Sequence, residues 1–161
     1  DRYNKATINY NKDNKDNKDN KIKKQLIDII NEKNRTYSPL ALYFIIDNEI
    51  ITDKTKINEL FDIIINKVSL EKEIKNLIIY KKALFNSEII NENDLIKSLN
   101  PIINSESIWK SHSLYLIAEY FYSNQQMQKA KEFYNQIIIM DNVNPNIKIE
   151  VEKRLSRDFS E

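Results

Sequence analysis

The side chains that could do chemistry in this sequence are few. It has one His and no Cys. His112 stands between Ser111 and Ser113, but a Ser–His–carboxylate triad needs groups that converge across a fold, and flanking serines do not converge on the ring between them. His112 is therefore expected near a helix start, exposed or facing a groove. Asp13, Asp16 and Asp19 recur every third residue, whereas a calcium loop needs alternate acidic ligands and a Gly at its sharp turn. Glu71 with Glu73, and Glu92 with Asp94, suit the first turns of helices, where negative charge meets unpaired backbone N–H groups. Without Cys, thiolate metal sites, Cys nucleophiles and disulfide scaffolds are excluded. Without Gly, so are the Gly-rich phosphate loop, the dinucleotide fingerprint and the usual nucleophile elbow. The expectation is a chain with no catalytic, metal or cofactor site, and not an enzyme.

Charge points the same way. The chain has 161 residues, with 25 basic and 24 acidic side chains and a net charge of +1, so no global field draws it to nucleic acid. Residues 1–24 hold eight Lys or Arg against four Asp, or +4, leaving 17 against 20, or −3, for the rest. That basic start is either a solvated leader or a contact for anionic lipid or an acidic partner. Nine Tyr and many Lys could stack on bases and hold phosphates, yet most Tyr fall at core or helix-face positions. No nucleic-acid partner is expected.

Something must position these residues, and the apolar pattern says what. Ile, Leu, Val and Phe number 49 of 161, enough for a buried core. Ile, Asn and Lys alone total 71, a bias of the kind that AT-rich codons produce. Asn11 to Lys21 reads Asn-Lys-Asp three times and then Asn-Lys, with no apolar residue. Residues 1–21 are expected to be a polar leader or linker, with residues 1–10 read as the end of an upstream helix, and 22–159 a helical domain. From Ile22 onward the apolar spacing is helical, and period-two alternation is nearly absent. Eight helices are predicted. The first ends near Asn34, and the second has Pro39 in its first turn. Asp53 caps the third, Ser69 opens the fourth, and Asn91 or Asn93 opens the fifth, near Pro101. Ser105 or Ser107 caps the sixth, Asn124 the seventh and Asn144-Pro145 the eighth. Turns with positive φ, lacking Gly, should fall to Asn or Asp. The fold class is all-α.

Ser111 to Pro145 has the most informative pattern. Leu114, Ile117, Ala118 and Phe121 precede Ala130 by 9 to 16 residues, and Tyr134 follows four later. This resembles the tetratricopeptide repeat, an antiparallel helix pair in which small residues allow close approach and aromatics fill the flanks. Leu114 stands where the repeat has Trp, Ala118 where it has Gly, and Pro145 comes about three residues late. A plain helical hairpin would show much of the same spacing. Weaker copies run through Ala41, Phe44, Ile45, Ile57 and Phe61, and through Ile79, Ala83, Leu95 and Leu99. Three helix pairs stacked as a short right-handed solenoid, closed by a helix with Ile147, Val151 and Leu155 inward, follow from that resemblance.

The order Leu99-Asn100-Pro101-Ile102, Ser107-Ile108-Trp109-Lys110, the Ala118 and Ala130 pair, and Arg154-Leu155 is similar to that of the bacterial YfgM-like family of membrane-anchored repeat domains. The resemblance spans roughly Pro39 to Leu155 and rests on apolar spacings. It implies an inner-membrane anchor upstream of Asp1, a domain on the periplasmic side, and partners among Sec translocon components or periplasmic chaperones. The missing initiator Met fits removal of such an anchor. A soluble cytoplasmic helical-repeat adaptor is the alternative. In stacked pairs the first helices line the concave face, so Tyr80, Leu84, His112, Tyr115, Glu119 and Tyr122 are expected to form a protein-binding groove. Tyr115 and Tyr122 could equally cover neighbouring helices. Leu114, Ile117, Ala118, Phe121, Ala130 and Tyr134 are the expected structural repeat positions. A cationic clamp for a terminal carboxylate is not expected, because Tyr115 and Glu119 stand where Lys and Asn would be needed.

Overall fold

A computed structural model describes residues 1–12 and 19–159, with the side chains of residues 11, 12 and 19 left aside. Asp13, Asp16 and the Asp19 side chain, and most of the Asn-Lys-Asp run, lie outside the described residues. The described residues are all-α, as the periodicity predicts, with nine helices and no strand among them. These are α1 (Arg2–Lys12), α2 (Asp19–Asn31), α3 (Tyr37–Asp47), α4 (Lys54–Lys67), α5 (Lys72–Asn86), α6 (Glu92–Ile103), α7 (Lys110–Ser123), α8 (Met127–Ile138) and α9 (Pro145–Asp158). None is long and apolar enough to cross a membrane.

The chain divides into two compact units, Asp1–Glu71 and Lys72–Glu161. This differs from the expected boundary between a leader at 1–21 and one domain from 22. The reason is local: Ala6 is buried, and Tyr3 and Tyr10 both set their rings edge-on against Phe44. Thus α1 packs on α2 and α3 instead of trailing from them. Leu26, Ile30, Leu42, Ile45, Leu60, Phe61 and Ile64 fill the first unit's interior. Buried Ser38 is satisfied there, donating toward the Ile29 and Ile30 carbonyls at 3.0 and 3.2 Å.

In the second unit α7 is the central helix. It packs against α5, α6, α8 and α9, and its Leu114, Ile117, Ala118 and Phe121 are buried, as are Ala130 and Tyr134 of α8. Ala118 and Ala130 are both 0% exposed, and each presents only a methyl to its surroundings. Ile147 and Val151 of α9 are buried and Leu155 half-buried against the same core, while Lys148, Glu152, Lys153 and Arg157 stay in water.

Several helix ends are where capping chemistry predicts. Asp53 accepts from the Thr55 and Lys56 N–H groups, Asn91 from Asp94, and Asn144 from Asn146 and Ile147. Others differ. The fourth predicted helix begins at Lys72 and not at Ser69, and α8 begins at Met127 and not near Asn124. Among the described residues positive φ falls on Lys33, Glu49 and Gln125 (55°, 52° and 59°), not on Asn or Asp. At two of these turns an Asn precedes: Asn48 and Asn124 donate their side-chain amides to the Phe44 and Tyr120 carbonyls, four residues back. Bonds from Glu49 to Ile46 and Ile50 to Ile45, and from Gln125 to Tyr122 and Gln126 to Phe121, then complete Schellman closures. Asn terminates the helix and the exposed residue after it takes the left-handed turn.

Candidate interaction surface

The start of α7 is held from another helix. Trp109, at its N-cap, supplies no side-chain cap. Instead Glu73, in the first turn of α5, accepts from Ser107 Oγ at 2.8 Å and the Ile108 N–H at 3.2 Å. The Glu73 carbonyl accepts from Trp109 Nε1 at 3.1 Å, and Asn76 Nδ2 donates to Ser107 Oγ at 3.2 Å. Charge-assisted bonds of this kind are stronger than neutral ones, so the first turn of α5 anchors the entry to α7. At the next loop the Asn144 N–H donates to buried Ser111 Oγ at 3.3 Å.

With α7 anchored, its incompletely buried side includes His112, Tyr115, Glu119 and Tyr122, each half-buried. Their spacing of three, four and three residues places them on one helical face. They divide between two neighbours. His112 meets Tyr80 of α5 edge-on at 5.8 Å between ring centroids and Trp109 at 5.0 Å, while Tyr80 and Trp109 are nearly parallel at 14° and 6.3 Å. Its Nδ1 is buried with no well-formed hydrogen bond among the described residues. Burial lowers the imidazole pKa, opposed by the Ile108 backbone, so the neutral ring is favoured. Burial also raises the Tyr80 hydroxyl pKa. Leu84, one turn along α5, is 48% exposed.

The other half of the stripe engages α9. Arg154 donates through Nε and Nη2 to the two oxygens of Glu119 at 3.2 and 2.8 Å, and its guanidinium lies 4.1 Å from the Tyr122 ring centroid. Tyr134 donates its hydroxyl to Glu119, Tyr122 donates to Asp158 at 3.0 Å, and Arg154 lies 3.6 Å from Asp158. Burial, then Glu119's accepting oxygen and charge, push the Tyr134 hydroxyl well above the usual phenol range, so it stays a donor. Burial works against the charged Arg154, but its bonds to Glu119 prevail and its pKa rises. The hydrogen bond from Arg157, helped by the one from Tyr122, lowers Asp158 to about 2. Tyr115 lies 6.4 Å from Tyr134, ring to ring, and is raised first by burial and then by Glu119's charge.

The six expected groove residues have different surroundings: Tyr80 and His112 belong to an aromatic cluster with Trp109, Tyr115 lies beside Tyr134, Glu119 and Tyr122 are tied to α9, and Leu84 is exposed. Arg154 and Asp158 were not among the expected residues. No local sequence pattern points to them; in the structure Glu119 pairs with Arg154 and Tyr122 with Asp158, 35 and 36 residues apart. Related offsets recur where Glu73 meets Ser107 and Trp109, and where Glu92 meets Gln126 and Lys129. Arg154 is a cation on this face, and it is paired with Glu119 and lies beside Asp158.

A cavity of about 460 Å³ adjoins the stripe, lined by the α5–α6 loop from Ser87 to Ile90 and by Leu116, Glu119, Tyr120, Ser123 and Asn124 of α7 and its end. The Tyr120 hydroxyl donates across it to the Ile90 carbonyl at 2.9 Å. Among the described residues no group of three His, Cys, Asp or Glu is placed to hold a metal ion. The arrangement offers aromatic area, neutralised charge and an apolar edge at Leu84. Comparison with family models, with curated proteins and with solved structures gave no match.

Proposed function

We propose that this chain is a non-enzymatic scaffold that binds other proteins through the face of α5 and α7 that bears Tyr80, Leu84, His112 and Tyr115. The supporting observation is that α7, packed by four helices, keeps a half-buried stripe, rich in aromatic rings, in the unit that also exposes Leu84. Tyr and His rings offer large contact area for few rotatable bonds, the composition favoured at binding surfaces. His112 is surrounded by rings, and Glu119 is committed to Arg154, which favours contact over proton transfer. The recurrent offsets of 31 to 37 residues among the links from α5, α6 and α7 to later elements support tandem helix pairs of the tetratricopeptide type.

In this reading the scaffold is the periplasmic part of an inner-membrane-anchored protein, and its partners are Sec translocon components or envelope chaperones. A photo-crosslinking amino acid placed at Leu84 or at Tyr115, with Ile139 as an exposed control at the end of α8, tests it in intact cells. Adducts with translocon subunits or periplasmic chaperones are expected at the first two positions and not at Ile139. Equal adducts at all three positions, or none at Leu84 and Tyr115, would overturn the assignment of this face.

A further inference from the structure

The five-residue loop between α2 and α3, Glu32 to Thr36, is exposed throughout, while Ile30 before it and Ser38 after it are fully buried. It contains Asn34-Arg35-Thr36, the one Asn-x-Ser/Thr triplet in the sequence. Such triplets are acceptors of N-linked glycans when x is not Pro and the protein is exported. In a chain with 22 Asn and 15 Ser or Thr, chance alone supplies triplets, so the setting carries the inference.

The setting is specific. Asn34 Oδ1 accepts the Thr36 and Tyr37 N–H groups at 2.9 and 3.0 Å, capping α3 in place of Thr36, whose side chain makes no cap bond. Both bonds use the oxygen. The side-chain nitrogen makes no hydrogen bond among the described residues, and an amide substituted there keeps its carbonyl acceptor. Lys33, at φ 55°, turns the chain just before it. An open depression of about 480 Å³, lined by Glu32 to Arg35 and Ser69, surrounds the acceptor, giving a first sugar room without displacing the core.

We propose that Asn34 is an N-glycosylation site, modified by an oligosaccharyltransferase from a lipid-diphosphate-linked oligosaccharide. The amide nitrogen bonds to C1 of the first sugar, the C1–O bond to the carrier breaks, and the lipid diphosphate leaves with the electron pair. The amide proton passes to a base of the transferase. The proposal rests on the envelope-facing reading above, because the transferase works on exported chains.

The test is glycopeptide mapping and intact mass of the protein purified from its own cells, with fractionation of the same cells. The expected result is an oligosaccharide increment on the peptide spanning Asn34 in exported protein. It should be lost in N34D, which keeps the capping oxygen, and in T36A, which leaves the cap untouched, and retained in T36S. Exported protein with an unmodified Asn34 peptide overturns the glycan and leaves the envelope reading standing, as does an increment that persists in N34D. Unmodified protein in the cytoplasmic fraction overturns both.

Discussion

Gln125 shows how single residues replace the missing Gly. Its φ of 59° places Cβ against the following carbonyl, a conformation that costs a non-Gly residue roughly 1–2 kcal/mol. Gln125→Gly removes that strain but adds unfolded-state freedom. The net expected gain is about 0.5–1 kcal/mol, read as a higher urea midpoint with unchanged slope. An unchanged or lower midpoint would show that the turn is not strained. His112 gives the second prediction at this scale. Its folded pKa is depressed by burial, so the unfolded chain binds the proton first, near the ordinary value of about 6.5. Its contribution to stability is therefore complete above that pH and is lost as pH falls through the lower folded value. The urea midpoint of the native chain should drop between pH 7.5 and 5 by more than that of H112Q. Parallel pH profiles of the two proteins would remove His112 from this account.

At the scale of elements, α9 is the informative case. Its apolar face is narrow, with Ile147 and Val151 buried and Leu155 and Phe159 only half-buried, so polar contacts contribute noticeably to its attachment. Side-chain exposures of 22% for Arg154 and 28% for Glu119 place the pair between a solvent-screened and a fully desolvated one. Arg154→Met should cost about 1–2 kcal/mol, because Glu119 loses its charged donor while Tyr134 still bonds to it. A cycle with Glu119→Gln should show coupling of similar size, since the two touch directly. Additive losses would mean that α9 is held by its apolar face alone. The α9 position itself was legible from Asn144-Pro145 and the spacing of Ile147, Val151 and Leu155. Its contact with Tyr122 and Glu119 was not, because helical periodicity says which face turns inward but not which neighbour a polar side chain reaches.

At the scale of the molecule, the Lys72–Glu161 unit has its own core, running from Ala83 and Leu95 through Phe121 and Tyr134 to Val151. Expressed alone it should be helical by circular dichroism and unfold in one cooperative transition, as expected for a domain of this size with a continuous interior. A broad, non-cooperative melt would show that it needs residues 1–71. The boundary near residue 71 was not readable from composition. The abrupt compositional change falls at the Asn-Lys-Asp run, and nothing comparable marks Glu71. What separates the units is which helices pack together, and that depends on residues far apart in the chain.

The helical class, the starts of α3, α4, α6 and α9, and the burial of Leu114, Ile117, Ala118, Phe121, Ala130 and Tyr134 were legible in the sequence. These follow from local rules: a period of 3.6 residues, side-chain caps, and small residues placed between large apolar ones. Tertiary structure decided the rest. It brought α1 into the first unit, set Glu73 against the start of α7, and joined Glu119, Tyr134 and Arg154 in one network. It also left Asn34 at a surface loop with its oxygen occupied and, among the described residues, no hydrogen bond on its nitrogen. Each depends on which separate helices pack together, and for the polar pairs the helical period says which face turns inward but not which partner a side chain meets.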